Sequence, residues 1–528
     1  MTNNLHATLR AVAVIVLCAL AAGRWGSHLG SAASVVEREA VQDDVDYLVS
    51  TLAVIEQQHA DPVDVEGAIY EGSIPSMLQR LDPHSMFFGP EAYRRLREEQ
   101  RGSYAGVGMT IRPWGEETVI DHPFPDTPAF KAGVRPGDVV TRIDDQPAES
   151  LTVDEVAQHV RGPEGTSVRL TLRRPLVDEL IEVTLVRESI PRPSVPLAFT
   201  FNDQIGYLRI ATFNENTPDE FDEQLEKLES EGIKGLVLDL RDNQGGLLSA
   251  GIHVADRFLD RGQTIVSHWG RASDKRVYPS RSRRREHNYP MTVLVNCNSA
   301  SASEIVAGAL QDHDRGLIVG SNTFGKGLIQ AVYNLSDTTG LVLTTARYYT
   351  PSGRLIQRTY DSVSARQYYT DPCADSYRPP KQDPRVTDLG RRVFGGGGIA
   401  PDIRVDELRT GAFQQLMENR RAFENYAQKY CLDRLSLPDN WTPRRTDVRA
   451  FRDDLEERLI PYDDDEFDEE DDYITRQIKK HVYTACVDYG EGLRVDAELD
   501  PAVHEAAALL PDARKLLDRV TEALAQRD

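Results

Sequence analysis

The sequence predicts a multidomain α/β protein with an inserted β-rich module and a helical C-terminal region. Three observations carry that expectation. At 528 residues the chain is longer than one hydrophobic core usually supports. From Phe199 onward, short apolar runs alternate with helical stretches, which is an α/β pattern. Tyr104 to Glu188 instead alternates apolar and polar residues between glycine turns, as a small β module does. Charged residues make up 27% and hydrophobic ones 40%, the balance of a soluble globular protein. The net charge of −23 argues against a nucleic-acid partner and against broad attraction to anionic lipid.

Residues 1–34 contain a continuous apolar run, Ala11 to Ala22, preceded by Arg10. It is short for a membrane span and suits the apolar core of a signal peptide. Ala19-Leu-Ala21 resembles a cleavage site, whereas Arg24 favours retention as an anchor; both readings export the remainder. Cys18 follows Leu17, where a lipoprotein signal requires a small residue, which argues against lipidation.

Residues 35–103 read as helical: Val45, Leu48, Leu52 and Ile55 recur at helical spacing, and Pro90 opens a further helix. Leu81 to Ser85 is a turn, with His84 read as a turn-capping residue rather than a catalytic one. Residues 104–188 form the β module, with Gly106-Val-Gly-Met109, Ala132 to Asp138 and a short helix from Val153 to Val160. Ile190 to Pro196 carries three prolines and reads as a linker.

Residues 189–405 form the α/β domain. Gly206 to Ile210 is a strand, Pro218 to Glu229 a helix, Gly235 to Leu240 a buried strand, and Gly245-Gly246 a tight turn. Lys275 to Arg285 is a basic, solvated loop, and residues 359–394, rich in Tyr, Pro and charge, form an insertion. Residues 406–528 are helical and charged, with the acidic run Asp463 to Asp472 expected as a solvated linker rather than a metal site. Cys297, Cys373, Cys431 and Cys486 lack metal-type spacing, and no metal or cofactor is expected. Cys373–Cys431 is a guessed bridge for an oxidising compartment, and Cys297 is expected as a buried core thiol.

The stretch Thr292 to Gln330 reads as strand, small polar turn, helix, strand, then a glycine-flanked lysine. A small-residue turn from strand into helix can hold a hydroxyl exposed beside backbone N–H groups. It offers Ser299, Ser301 and Ser303 as nucleophiles and Lys326 as a base. Ser301-Ala-Ser-Glu304 is equally a capping box, and on local sequence alone capping is the commoner role. A single lysine is usually a solvated surface residue. His253 and His313 are the candidates if the hydroxyl were instead served by a histidine.

The blocks SASASEI, TFGKGLIQ and the upstream DLRDNQGG resemble the carboxyl-terminal processing proteases of peptidase family S41. The resemblance spans about Val35 to Asp402, and Arg347 to Gly353 and Gly395 to Asp402 match further blocks of that family. It implies a serine–lysine dyad with Ser301 as nucleophile and Lys326 as base. Gln330 falls on the residue that orients the lysine, and the oxyanion hole falls on the N–H groups of Gly246 and Ala302. A serine needs a base to take its proton. Lysine, with an ordinary pKa of about 10.4, can act only when desolvated, and Phe324, Leu328 and Ile329 are the local apolar groups. On a straight strand Gln330 would lie about 13 Å from Lys326, so a bend at Gly325 and Gly327 is required.

The β module resembles the PDZ domain inserted in such proteases. That resemblance implies a loop, Gly106, Val107, Gly108 and Met109, turned toward a terminal carboxylate. Val156 and Val160 would line the side-chain pocket, and Arg161 would touch the protease domain. The substrates implied are proteins or peptides with apolar C-termini. The expected function is a serine endopeptidase that works without ATP, since no G-x-x-x-x-G-K-[ST] loop is present and Gly327 replaces its Ser or Thr. The alternative is a proteolytically silent PDZ-type peptide-binding scaffold. The expected place is the periplasm or cell envelope, with inner-membrane anchoring if the N-terminus is retained. The C-terminal helices are expected to serve homo-oligomer formation or adaptor docking, and Pro191, Pro193 and Pro196 to hinge a gating motion.

Overall fold

The computed structural model describes residues 38–526 apart from 176, 203, 272, 282–286, 361–367, 370–383, 406–410, 433, 435–436 and 439. The expected signal or anchor segment, Cys18, Cys373 and most of the 359–394 insertion lie outside the described residues. Among the described residues no helix is long and apolar enough to cross a membrane. The chain forms two compact units.

The smaller unit comprises the chain up to Tyr93 with residues 270–274 and 330–346. Its long helix, Arg38–Gln58, follows the expected periodicity, yet Val45, Leu48 and Ile55 remain exposed. Asp82, rather than His84, caps the following turn. Its carboxylate accepts the N–H groups of His84 and Ser85, each at 2.8 Å. Strand Met86–Phe88 then pairs antiparallel with residues 340–342.

The larger unit holds the β module, the α/β domain and the C-terminal helices. The module is a sheet of strands Met109–Trp114, Glu117–Pro123, Val139–Ile143, Gln146–Pro147, Ser167–Arg173 and Ile181–Val186. Helix Val153–Val160 starts at a full capping box between Thr152 and Glu155. Val156 and Val160 are buried with Val107, Ile120 and Leu170 in the module's own core.

The proline-rich stretch at 190–196 is not a loose linker. Strand Glu188–Pro191 pairs antiparallel with Ser103–Gly106, so the two stalks of the module are zipped together. The Glu220 carboxylate then accepts Ser194 N, Ser194 Oγ and Val195 N at 2.6, 2.7 and 3.1 Å. These bonds immobilise a segment that composition alone marks as flexible.

The α/β domain is built on a six-stranded sheet in the order Leu197–Phe201, Ile205–Arg209, Gly235–Asp239, Met291–Val295, Leu317–Gly320, Ile403–Arg404. Every neighbouring pair after the first is parallel. Alternate side chains of a strand point to opposite faces. Accordingly Leu236, Leu238, Val293 and Ile318 pack on the crossover helices Thr217–Ser230, Leu248–Asp256 and Ala302–Asp312. Tyr207, Val237, Leu294 and Val319 face the other way.

That second face is closed by the end of the chain. Val503, Ala506, Ala513 and Leu516, from helices Pro501–Ala508 and Leu510–Ala525, form one core with Tyr207, Val237, Leu294 and Val319. The C-terminal region is helical as expected, but its last two helices belong to the α/β core rather than lying outside it. The preceding helices form a separate core around Phe413, Phe423, Phe451, Ile478 and Val482. Here Cys431 bonds Cys486, because helices Ala422–Leu432 and Asp471–Cys486 pack with these Cα atoms 5.4 Å apart. The Cys373–Cys431 guess is therefore incorrect. Cys297 is buried but is also disulfide-bonded, so it is not a free core thiol.

The acidic run is likewise not a linker. Asp464–Glu469 and Asp471–Cys486 are helices, and the Asp463 side chain accepts the N–H groups of Asp465 and Glu466. Acidic residues in a first helical turn complement the helix dipole, and buried Phe467 anchors the segment.

Candidate active site

The site lies beyond the C-terminal ends of the parallel strands Gly235–Asp239 and Met291–Val295, where α/β sheets place their ligands. The second strand ends in Asn296 to Ala300, and Ser301 then begins helix Ala302–Asp312. Ser301 has φ 56° and ψ −110°, a conformation that costs an ordinary residue about 1–3 kcal/mol and persists only when its surroundings enforce it. The enforcement is visible. Ser301 N–H donates to Glu304 Oε2 at 2.8 Å, and the Tyr348 hydroxyl donates to the Ser301 carbonyl at 3.1 Å. Only the glutamate half of the capping box forms, since the Ser301 side chain accepts no cap bond from the helix.

Ser299 and Ser303 are structural. Ser299 Oγ donates to Leu240 O and Ser303 Oγ to Asn243 O, each at 2.8 Å, and both residues are buried. Ser301 is thus the one serine of the three whose hydroxyl has no partner among the described residues. Neither candidate histidine bonds it. His253 pairs with Asp222 at 3.0 Å. His313 bonds Asp388 and Thr264 O, each at 2.8 Å, through its two ring nitrogens.

Glu304 is the residue the sequence undersells. Its buried carboxylate accepts Ser301 N and Lys326 N (2.8 and 2.9 Å) on one oxygen, and Thr323 Oγ and Gly325 N (2.6 and 2.7 Å) on the other. One side chain therefore holds the backbones of the serine turn and the lysine loop together. Burial pushes its carboxyl above the ordinary range, against the pull of these four donors. The S-x-x-E pattern signalled Glu304 only as a cap.

Lys326 is half-buried in a loop, not on a strand; strand Leu328–Asn334 begins two residues later. Gly325 has φ +86°, which supplies the expected break from extended geometry, and Gly327 O accepts the Tyr348 N–H at 3.0 Å. Gln330 belongs to the smaller unit, where its carboxamide donates to His84 O at 2.6 Å.

The glycine turn is packed directly against the serine. A Cβ on Gly245 would fall 2.7 Å from the Ser301 Cβ and 3.0 Å from Ala302 N, and one on Gly246 would strike Phe213 O at 2.0 Å. Only glycine fits either position. The N–H groups of Gly246 and Ala302 have no partner among the described residues. At the root of this turn, Arg241 is clamped by Asp239 and also pairs with Asp500 (2.6 and 2.7 Å). Burial alone would raise the Asp239 carboxyl, but Arg241 holds it below its ordinary value.

In the β module, Gly106 ends a strand and Met109 begins the next. Between them, Gly108 has φ +79°. Its carbonyl accepts Phe124 N and Thr127 Oγ, each at 2.9 Å. The N–H groups of Val107 and Gly108 have no partner among the described residues. Val156 and Val160 are both buried. Arg161 reaches Glu98 at 3.5 Å and lies over the Tyr104 ring.

A family model described as peptidase family S41 matches residues 204–363, which span the glycine turn, Ser301, Glu304 and Lys326. The carboxy-terminal-processing protease of Bartonella bacilliformis is 38% identical over 293 residues, covering 55% of this chain and 67% of that protein. The chain belongs to peptidase family S41. The carboxyl-terminal-processing protease of a Picosynechococcus species is 37% identical over 295 residues, covering 55% of this chain and 70% of its own length. A PDZ-domain model matches residues 121–174. Among solved structures, a photosystem II D1 C-terminal processing protease aligns at 31% identity with a TM-score of 0.36, covering 68% of this chain and 86% of that one. The S41 chain is a serine-type peptidase with a PDZ domain and a helical C-terminal region.

Proposed function

We propose that this S41 peptidase cleaves exported proteins near their C-termini through a Ser301–Lys326 dyad, without ATP. The carrying observation is the strained Ser301 backbone, held by the same Glu304 carboxylate that binds the Lys326 N–H. In the proposed mechanism the Lys326 amine takes the Ser301 proton as Oγ attacks the scissile carbonyl. The N–H groups of Gly246 and Ala302 stabilise the tetrahedral oxyanion, each worth about 3–4 kcal/mol in such sites. The lysine then protonates the leaving amine, and water resolves the acyl-enzyme.

The PDZ loop Gly106 to Met109 would take the terminal carboxylate on the N–H groups of Val107 and Gly108, with the tail added as a strand. Export is supported by the Cys431–Cys486 bond, since disulfides persist in oxidising compartments. The N-terminal segment would act as signal or anchor.

The test offers the purified protein one loosely folded substrate with either a free or an amidated apolar C-terminus. Turnover should favour the free tail. Ser301→Ala and Lys326→Ala should each lose at least about 10³-fold in turnover. Near wild-type turnover in either variant removes the dyad, and equal rates on both tails remove the tail recognition.

A further inference from the structure

Arg241 stands at the root of the turn that brings Gly245 and Gly246 against Ser301, and its guanidinium has two carboxylate partners. Asp239, on the strand just before it, takes Nε and Nη2. The second partner, Asp500, comes from the C-terminal helices, far outside the segment that matches the peptidase family. We propose that Asp500 is a positioning residue for catalysis, holding Arg241 and through it the turn that carries the Gly246 N–H. The proposal rests on the oxyanion role given to Gly246 above.

The geometry forms an unbroken path. Asp239 is fully buried and also accepts the Tyr207 hydroxyl at 2.7 Å and Arg241 N at 2.9 Å, so this end of the clamp is fixed to the sheet. After Arg241 the chain enters a left-handed residue, Asp242, at φ 60°. The Asp242 N–H is held by Asn296 Oδ1 at 3.0 Å. Asn243 O then accepts Ala300 N at 3.0 Å and Ser303 Oγ at 2.8 Å, and Asn243 Oδ1 accepts Gly245 N at 2.8 Å. Asp242 and Asn243 therefore hold the serine turn and shape the approach of Gly245 to it. Displacing the guanidinium loads this whole path.

Asp500 is itself built in. It stands between helices Tyr489–Glu498 and Pro501–Ala508, and its two oxygens do different work. Oδ1 accepts Ala502 N at 2.8 Å, capping the second helix, while Oδ2 pairs with Arg241. Val503 and Ala506 of that capped helix are buried against the sheet. The side chain keeps 28% of its surface exposed, so it is not retained as core filling. A capping role alone is met by Asn or Ser as well as by Asp. Only the pairing with Arg241 calls for the charge.

That distinction supplies the test. Asp500→Asn and Asp500→Ser both keep a capping acceptor, so the full-length variants should melt within about 2–3 °C of wild type. On an unstructured peptide substrate each should lose about 10- to 100-fold in kcat with KM little changed, the pattern of lost transition-state positioning. Labelling of Ser301 by a fluorophosphonate, whose oxygen occupies the oxyanion position, should slow in parallel. Asp500→Glu, which keeps the charge, should recover part of the loss. Wild-type kcat in Asp500→Asn and Asp500→Ser overturns the proposal. So does a loss of melting temperature with unchanged kcat per folded molecule, since Asp500 would then be only a cap. Ser301→Ala serves as the control: if it still turns over substrate, the dyad has failed rather than this inference.

Discussion

The two faces of the catalytic sheet are covered in different ways. One face is packed by helices Thr217–Ser230, Leu248–Asp256 and Ala302–Asp312, each lying in sequence between strands of the sheet they cover. The other is packed by Pro501–Ala508 and Leu510–Ala525, which follow the last strand by roughly a hundred residues of separate helical structure. The first cover is local, and its third helix begins at Ser301, the proposed nucleophile. The second is remote and supplies the apolar partners that Tyr207, Val237, Leu294 and Val319 would otherwise lack. A sheet with one face open to water must be polar on that face. This one is apolar on both, so the remote cover is obligatory.

The largest effect should come from removing it. A chain ending at residue 499 leaves that apolar face bare and should be recovered as aggregate, without a cooperative melting transition. A soluble truncated protein with wild-type activity would break the comparison, returning the last helices to a peripheral role.

A smaller effect separates the remote cover from the helices leading to it. The Cys431–Cys486 bond closes a loop spanning 55 positions within the core of Phe413 and Phe451, not within the sheet. Converting both cysteines to serine should cost that helical core about 4 kcal/mol on the chain-entropy account. The sheet should keep its protection from hydrogen exchange, since it lies in a different core. Equal loss of protection in both would show that they melt as one unit.

The smallest effect concerns the local cover. His313, at the end of the Ala302–Asp312 helix, is opposed by burial, but its bonds to Asp388 and Thr264 O raise its pKa above the ordinary value. A raised pKa binds the proton more tightly in the folded state. The resulting stability is fully present below about pH 6.5 and is lost as pH rises through the folded value. Denaturant midpoints should therefore fall as pH rises across this window, and His313→Gln should flatten that slope. An unchanged slope would remove the linkage.

The same contrast explains what the sequence disclosed. The strand, turn and helix around Ser301, the tight Gly245-Gly246 turn and the bend beside Lys326 were legible because each lies in a short contiguous block whose residue types are dictated by local geometry. Glu304 was legible only in part: its spacing marked a cap, while its grip on Thr323, Gly325 and Lys326 depends on a loop returning from beyond the next strand. Asp500 left no trace, because its meaning resides in Arg241, on a distant segment. Val156 and Val160 had the helical spacing of one buried helix face, and both are buried in the module's core. The cysteines followed the same rule, since partner choice depends on how helices Ala422–Leu432 and Asp471–Cys486 pack. The proline stretch misled for a related reason. Its stiffness was readable, whereas the Glu220 carboxylate that fastens Ser194 and Val195 was not.

The remote cover also sets a timetable. During synthesis the serine turn, the glycine turn and the lysine loop all leave the ribosome well before Val503 and Leu516, so Ser301 exists as sequence long before its sheet can be sealed. Until those two helices arrive, one side of the sheet has nothing to pack on, and the nascent domain cannot yet hold its shape. The fold of this layer thus waits on helices made long after the serine turn.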